Sequence, residues 1–139
     1  MTSPGFYPVH EGLIRLGPDG PSLITGRCAS CDRLHFPLLP TCPYCAGDDV
    51  SETLLAGEAT LWSWTSVLRE PPGYRGTVPF GFGVVEHPAG IRLVTRLTEA
   101  DPTKLSAGMP MVLVTDELHT DEGDRAVSTY AFAPVGDTP

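Results

Sequence analysis

Positive charge is scarce in this chain. Of 139 residues, only 9 are Lys or Arg against 17 Asp or Glu, a formal net charge of −8. Lys104 is the single lysine, and Arg15, Arg27, Arg33, Arg69, Arg75, Arg92, Arg96 and Arg125 lie scattered along the chain. Nucleic-acid affinity rests largely on a basic field, so the balance argues against that partner. Long apolar runs are missing too, and no stretch reaches the roughly 20 residues of a membrane-spanning helix. Residues 1–12 lack a basic start followed by an apolar core, so no secretory signal is expected. The expectation is a cytoplasmic protein with no membrane partner. Catalytic signatures are likewise lacking: there is no G-x-S-x-G elbow, phosphate loop or dinucleotide fingerprint. His10, His35, His87 and His119 have no partners at metal or nucleophile spacing, and the carboxylates cluster in turns.

Cysteine is confined to two tight pairs, Cys28-Ala29-Ser30-Cys31 and Cys42-Pro43-Tyr44-Cys45. Each C-x-x-C places two sulfurs on one backbone knuckle. Two facing knuckles make a closed tetrahedral zinc site with Zn–S near ~2.3 Å. Such a site leaves no open position for water, so the metal is structural. Two other readings of the pairs compete with zinc. Cys42-Pro43-Tyr44-Cys45 resembles a glutaredoxin redox motif, but that chemistry needs a helix N-terminus to stabilise the thiolate. Here Ala46-Gly47-Asp48-Asp49 reads as a turn, and no βαβ pattern surrounds it. Disulfides need an oxidising compartment, for which there is no sign. One structural Zn2+ held by Cys28, Cys31, Cys42 and Cys45 is the expectation, and it leaves no cysteine for nucleophilic work.

Gly and Pro number 15 each. That much punctuation excludes a helical bundle and suits an all-β protein. Residues 1–21 read as an N-terminal arm, including a strand candidate Leu13-Ile14-Arg15-Leu16 and the turn Gly17-Pro18-Asp19-Gly20. Residues 22–56 read as a rubredoxin-like zinc ribbon, with short strands before, between and after the knuckles. Residues 57–135 carry five strand patterns, over 59–68, 80–86, 91–97, 111–115 and 127–132. A single helical turn fits between the third and fourth, closed by Gly108. Five strands with that insert indicate a Greek-key barrel of the OB type. Residues 136–139 are a tail. The acidic stretch Asp121-Glu122-Gly123-Asp124 is expected at the tip of the last hairpin.

Several residues stand out as candidate contacts. Trp62, Trp64 and Leu68 alternate on one face of the first barrel strand. The segment 69–79 is long for a hairpin loop, which suits a functional loop, with Arg69 at its start and Tyr74 and Arg75 at its centre. Phe80-Gly81-Phe82-Gly83 puts two glycines on one face of a strand. That pattern marks either a barrel corner or close approach of another backbone or ligand.

These stretches together resemble a known family. They are Gly26-Arg27-Cys28-Ala29-Ser30-Cys31, Phe36-Pro37, Cys42-Pro43-Tyr44-Cys45, Gly57-Glu58-Ala59-Thr60-Leu61-Trp62-Ser63-Trp64, Pro71-Pro72-Gly73-Tyr74, Val78-Pro79-Phe80, Gly90-Ile91-Arg92-Leu93, Leu105-Ser106-Ala107-Gly108-Met109 and Phe132-Ala133-Pro134. In order, over residues 22–135, they resemble the zinc-ribbon plus OB-fold proteins of acyl-CoA metabolism, long catalogued as a domain of unknown function. The resemblance implies a non-catalytic accessory subunit in a hetero-oligomer. Its partner would be a thiolase-like enzyme, acyl-CoA aldolase or hydratase, and acyl-CoA would sit at a shared site. Trp62, Trp64, Arg69, Tyr74, Arg75 and Phe80 become the candidates for partner or acyl-CoA contact. Two departures are visible. Asp32 stands where the family usually has Gly after the first knuckle, and Asp tolerates the left-handed conformation better than most residues. The family's N-terminal helix has no counterpart in the extended pattern of residues 1–12. A nucleic-acid-binding zinc-ribbon OB protein is the alternative, since both modules serve that role; the charge and the family motifs favour the accessory subunit.

Overall fold

The computed structural model describes residues 12–120, 123 and 125–136, together with the backbone pairing of Tyr7–Pro8. Most of the expected arm before residue 12, and most of the acidic hairpin tip, lie outside these residues. Among the described residues there is no α-helix. The only helical element among the described residues is a single 3-10 turn.

Strand β1 (Tyr7–Pro8) lies parallel to the last strand. Strand β2 (Ile14–Gly17) and β3 (Gly20–Cys28) form a hairpin in which Gly17 faces Gly20 across the Pro18-Asp19 turn. Strand β3 is central. Strand β2, and then the short β4 (Leu34–His35), pair along one edge, while β5 (Val50–Leu55) covers the other. This is the zinc ribbon, with its knuckles projecting beyond Cys28. Strand β4 ends at His35, short of the apolar run that continues to Leu39, because Pro37 and Pro40 cannot donate to a ladder.

The barrel consists of β6 (Glu58–Val67), β7 (Phe80–His87), β8 (Ile91–Leu97), β9 (Pro110–Thr120) and β10 (Ala126–Pro134). Its strand order is β9-β6-β7-β8-β10, closed by the β10–β9 pairing, and the β8–β10 contact is parallel. The five-stranded OB architecture expected from the sequence is therefore present. Ile91, Leu93, Thr95 and Leu97 of β8 point inward and are buried, following the period-2 pattern. The 3-10 turn Pro102–Lys104 closes one end of the barrel. The Asp101 carboxylate accepts from the Thr103 N–H at 3.0 Å, and Leu105 drops into the core.

Ribbon and barrel share one hydrophobic core. Leu23, Leu34 and Leu55 of the ribbon cluster with Leu61, Val85, Leu93, Leu97, Met111 and Phe132 of the barrel. Fully burying each of these side chains contributes about 1.5–3 kcal/mol before entropy is charged against it. The two modules also meet through a T-shaped contact between Phe36 and Tyr130, with ring centroids 5.2 Å apart.

One expectation about facing fails for a local reason. The β6–β7 register shifts between Leu61 and Ser63. Ala59 and Leu61 point inward, Trp62 and Ser63 both stand exposed, and Trp64 and Ser66 turn back in. A bulge places two residues opposite one and reverses the phase. Trp62 is thus 52% exposed, whereas Trp64 packs against the core and its Nε1–H donates to the Pro102 carbonyl at 3.1 Å. Leu68 lies beyond the strand and is exposed.

Candidate functional site: a zinc knuckle pair and an aromatic groove

The two knuckles are built alike. After Cys31 the chain turns through Asp32 at φ 62°, and after Cys45 through Ala46 at φ 63°. The Asp32 N–H donates to the Cys28 carbonyl at 2.7 Å, and the Ala46 N–H to the Cys42 carbonyl at 2.9 Å. The Cys28 N–H donates to the Arg33 carbonyl at 3.1 Å and the Cys42 N–H to the Gly47 carbonyl at 2.8 Å. Asp32 therefore adopts the left-handed conformation expected of it, and Arg27 braces it through both its carbonyl and its carboxylate, at 3.0 and 3.1 Å. Ala46 has no such brace. A left-handed non-glycine residue costs roughly 1–2 kcal/mol, so Ala46→Gly should raise stability by about 1 kcal/mol. Thermal melting of the zinc-loaded protein checks this, and a lowered Tm would contradict the knuckle geometry.

The four Sγ atoms lie within 4.8 Å of one another. Cys28 Sγ is 3.5 Å from Cys45 Sγ, and Cys31 Sγ is 3.7 Å from Cys42 Sγ. A tetrahedron with ~2.3 Å Zn–S bonds has edges of about 3.8 Å, so the cage is the right size for zinc. Gly47 belongs to the cage wall: a methyl group there would sit 3.3 Å from both Cys28 Sγ and Cys45 Sγ. Backbone N–H groups, that of Cys31 foremost, lower the Cys28 thiol to about 7. Burial opposes ionisation of Cys42, but the N–H groups of Cys45 and Tyr44 outweigh it and lower that thiol as well. At Cys45 the Gly47 N–H favours the thiolate, yet the adjacent Cys28 sulfur, burial and the remaining cysteines raise it to about 12. The first charges form readily and the last does not form without a cation. A divalent metal supplies that charge, and one structural zinc is what this set of ligands holds.

Across the ribbon–barrel junction runs a groove of about 750 Å³. Its walls are residues of β7, β8 and β10 on one side and residues 35–37 and 43–44 of the ribbon on the other. Aromatic rings dominate the lining: Phe36, Tyr44, Tyr74, Phe80, Phe82 and Tyr130. The Tyr130 hydroxyl donates to the Val94 carbonyl at 3.2 Å, and burial raises its pKa. Phe82 and Val94 remain 40% and 57% exposed.

The candidate contact residues divide into groups. Tyr74 is not a free loop tip. Its ring lies against Phe80 with centroids 5.0 Å apart, and its hydroxyl donates to the Thr77 carbonyl at 2.9 Å while accepting from Arg96 at 3.0 Å. Arg96 stacks over Phe80 at 4.8 Å and pairs with Asp116 at 2.7 Å. Burial acts to lower the Arg96 pKa, but the bonds to Asp116 and Tyr74 prevail and hold it raised. Trp62 stands apart from this network, covered by the Arg92 guanidinium at 4.2 Å, which Glu86 holds through Nε at 3.0 Å. Trp64 faces the 3-10 turn, away from the groove. Arg69 and Arg75 are exposed. Arg75 borders a shallow cleft with Gly76, Thr77 and residues 117–120. Arg92, Arg96, Phe82 and Val94 were not singled out from the sequence. The signal was there in β8, where Val94 is an apolar residue in the outward phase between two arginines.

Arg96 is the pin of the long loop. Arg96→Ala should cost about 1–2 kcal/mol, because it strands a partly exposed Asp116 and the Tyr74 hydroxyl. It should also speed hydrogen exchange in residues 73–78. Unchanged exchange there would show that the loop is held by other contacts.

Comparison with known proteins agrees with this geometry. Residues 17–51 match the family described as "ChsH2, rubredoxin-like zinc ribbon domain", and residues 52–116 match "ChsH2, C-terminal OB-fold domain". A DUF35 domain-containing scaffold protein of Pyrococcus furiosus is 29% identical over 114 residues, covering 81% of this chain and 83% of that protein. Benzoylsuccinyl-CoA thiolase subunit BbsA of Thauera aromatica is 30% identical over 128 residues, covering 91% and 87%. A probable enoyl-CoA hydratase alpha subunit of Thermomonospora curvata is 37% identical over 113 residues, but the match spans only 34% of that longer protein. Among solved structures, the Ltp2-ChsH2(DUF35) aldolase superposes with a TM-score of 0.62 at 32% identity, covering 81% of this chain and 84% of the matched chain.

Proposed function

The chain belongs to the ChsH2-type family of zinc-ribbon plus OB-fold (DUF35) proteins, and on that premise we propose that it is a non-catalytic accessory subunit of a thiolase-like or related acyl-CoA enzyme. In this reading it binds and stabilises the catalytic partner and contributes to the partner's acyl-CoA site. The observation that carries the reading is the combination of relatives and chemistry. The relatives bear the names of a scaffold, a thiolase subunit, a hydratase subunit and an aldolase component. This chain commits all four cysteines to metal, so the reacting thiol or base is expected on the partner.

The exposed apolar face of β6, β7 and β8 suits the docking role. Trp62, Phe82 and Val94 are each at least 40% exposed, and exposed aromatic clusters of this kind mark interaction surfaces. Aromatic residues dominate interface energetics, which makes Trp62 the candidate anchor. Because Trp62 sits outside the barrel at a bulge, Trp62→Ala should change stability by no more than about 0.5 kcal/mol. It should weaken assembly by about 2 kcal/mol, roughly thirty-fold in Kd. The test is co-expression with the thiolase-fold enzymes of the same genome, one at a time, followed by titration of wild type and variant against the enzyme that co-purifies. Failure of every such enzyme to co-purify would count against the reading. Undiminished affinity of Trp62→Ala would move the docking face elsewhere.

A further inference from the structure

The four cysteines are not evenly covered. Cys28 and Cys42 are buried and Cys31 is half-buried, whereas Cys45 is exposed. Residues 43–46, which carry Cys45, are all exposed, so this corner of the cage faces solvent. That matters chemically, because a small oxidant attacks the thiolate it reaches.

One edge of the cage is open as well. Cys28 Sγ and Cys45 Sγ lie 3.5 Å apart, closer than Cys31 Sγ and Cys42 Sγ at 3.7 Å. Over the shorter edge stands Gly47, where a methyl group would lie 3.3 Å from both sulfurs and 3.2 Å from Ser30 Oγ. Its backbone does not demand glycine, since Gly47 lies outside the left-handed region that Gly57 and Gly73 occupy. The missing side chain leaves the Cys28–Cys45 pair uncovered on that side. These two sulfurs belong to different knuckles. A bond between them leaves only Cys31 and Cys42, one on each knuckle, and two thiols do not make a closed four-ligand site.

We propose that Cys45 is a site of oxidation by hydrogen peroxide, that Cys28 resolves it, and that the product is a disulfide between the knuckles with loss of the metal. The Cys45 thiolate attacks the O–O bond. An S–O bond forms, the O–O bond breaks, hydroxide leaves, and Cys45 becomes a sulfenic acid. The Cys28 thiolate then attacks the Cys45 sulfur. The S–S bond forms, the S–O bond breaks, and a second hydroxide leaves. Two thiolates give up two electrons, the peroxide gains them, and two protons from solvent turn both hydroxides into water. The bridge takes over the cross-link between the knuckles, so the β3–β5 pairing persists. The change still reaches the groove. Pro43 and Tyr44 sit between Cys42 and Cys45 and line it, and the Arg33 guanidinium lies 4.9 Å from the Tyr44 ring centroid. Oxidation of Cys45 therefore reshapes a wall of the groove and is reversed by thiols. None of these steps depends on a partner enzyme.

The test uses the full zinc-loaded chain alone. About one equivalent of iodoacetamide should label Cys45 ahead of the other three cysteines. About tenfold excess hydrogen peroxide should release one zinc per chain, followed with a chromogenic indicator, in step with one disulfide. Peptide mapping should place that disulfide between Cys28 and Cys45. The Tyr44 ring resonances should shift, the far-ultraviolet circular dichroism should persist, and dithiothreitol with zinc should restore the starting spectra. Gly47→Ala, which covers the open edge, should slow zinc release at least about fivefold. If that variant takes up no zinc, Ser30→Leu covers the same edge from its other side and carries the same expectation. Full retention of zinc under peroxide, first labelling of another cysteine, or a first bridge other than Cys28–Cys45 would overturn the proposal. So would a wild-type rate of release from the zinc-loaded variant. Collapse of the circular dichroism, or unmoved Tyr44 resonances, would overturn its reversible link to the groove.

Discussion

Cys42→Ser should abolish the ribbon as a folded unit and strip the protein of its zinc. Structural zinc contributes on the order of 10–16 kcal/mol of apparent binding free energy in small zinc modules, as much as the roughly 5–15 kcal/mol total stability of a typical domain. The loss will not stay local. Leu23, Leu34 and Leu55 belong to the same core as Leu61, Leu97 and Phe132, so an unravelled ribbon uncovers one side of the barrel. Elemental analysis of the wild-type protein should give about one zinc per chain. The variant should bind no zinc, lose its near-ultraviolet circular dichroism and show a Tm lower by tens of degrees. The same unfolding should follow chelator treatment of wild type. A reduced, metal-free preparation that keeps the wild-type Tm would refute the structural role of the site.

Gly83→Val should be the most damaging substitution away from the zinc. Gly81 and Gly83 are buried on the inner face of β7. A Cβ on Gly83 would collide with the Ser63 carbonyl oxygen and lie 3.0 Å from Trp64 Cα; one on Gly81 would collide with the Glu99 carbonyl oxygen. These are backbone atoms of neighbouring segments and cannot swing aside. Overpacking usually costs 1–3 kcal/mol, and a rigid backbone clash should exceed that, so about 4 kcal/mol is expected. Denaturant unfolding measures it. A loss under about 1 kcal/mol would mean that β7 can move away from β6 and that the two strands are loosely packed here. Of the two readings open for the Phe80-Gly81-Phe82-Gly83 pattern, close approach of another backbone is the one the structure supports.

The parts of the molecule legible in the sequence were those governed by local rules. Metal-ligand spacing encodes the knuckles directly, because one C-x-x-C turn brings two sulfurs to one point. Strand β8 was legible because a half-buried strand alternates, and Gly108 marked the end of the insert because the chain turns there with φ +81°. The left-handed Asp32 followed from its side chain. The left-handed Ala46 did not, since nothing about alanine announces that conformation. The bulge at Trp62 was hidden because a one-residue shift leaves no compositional trace, yet it put the two tryptophans on opposite faces. The groove was hidden for a different reason. Its walls come from residues as distant as Phe36 and Tyr130, and only the closed barrel brings them to 5.2 Å. Loop 69–79 was legible as unusually long, but what holds it was not, since Arg96 and Asp116 belong to other strands.

The account stands or falls on the division of labour between this chain and a catalytic partner. The direct measurement is acyl-CoA thioester turnover by three samples: this chain alone, the co-purifying thiolase-fold enzyme alone, and the reconstituted pair. The chain alone should show no turnover, the isolated partner little, and the reconstituted pair full activity at saturation. Cleavage or condensation of an acyl-CoA by the chain alone, or a partner whose activity is the same with and without it, would contradict the account.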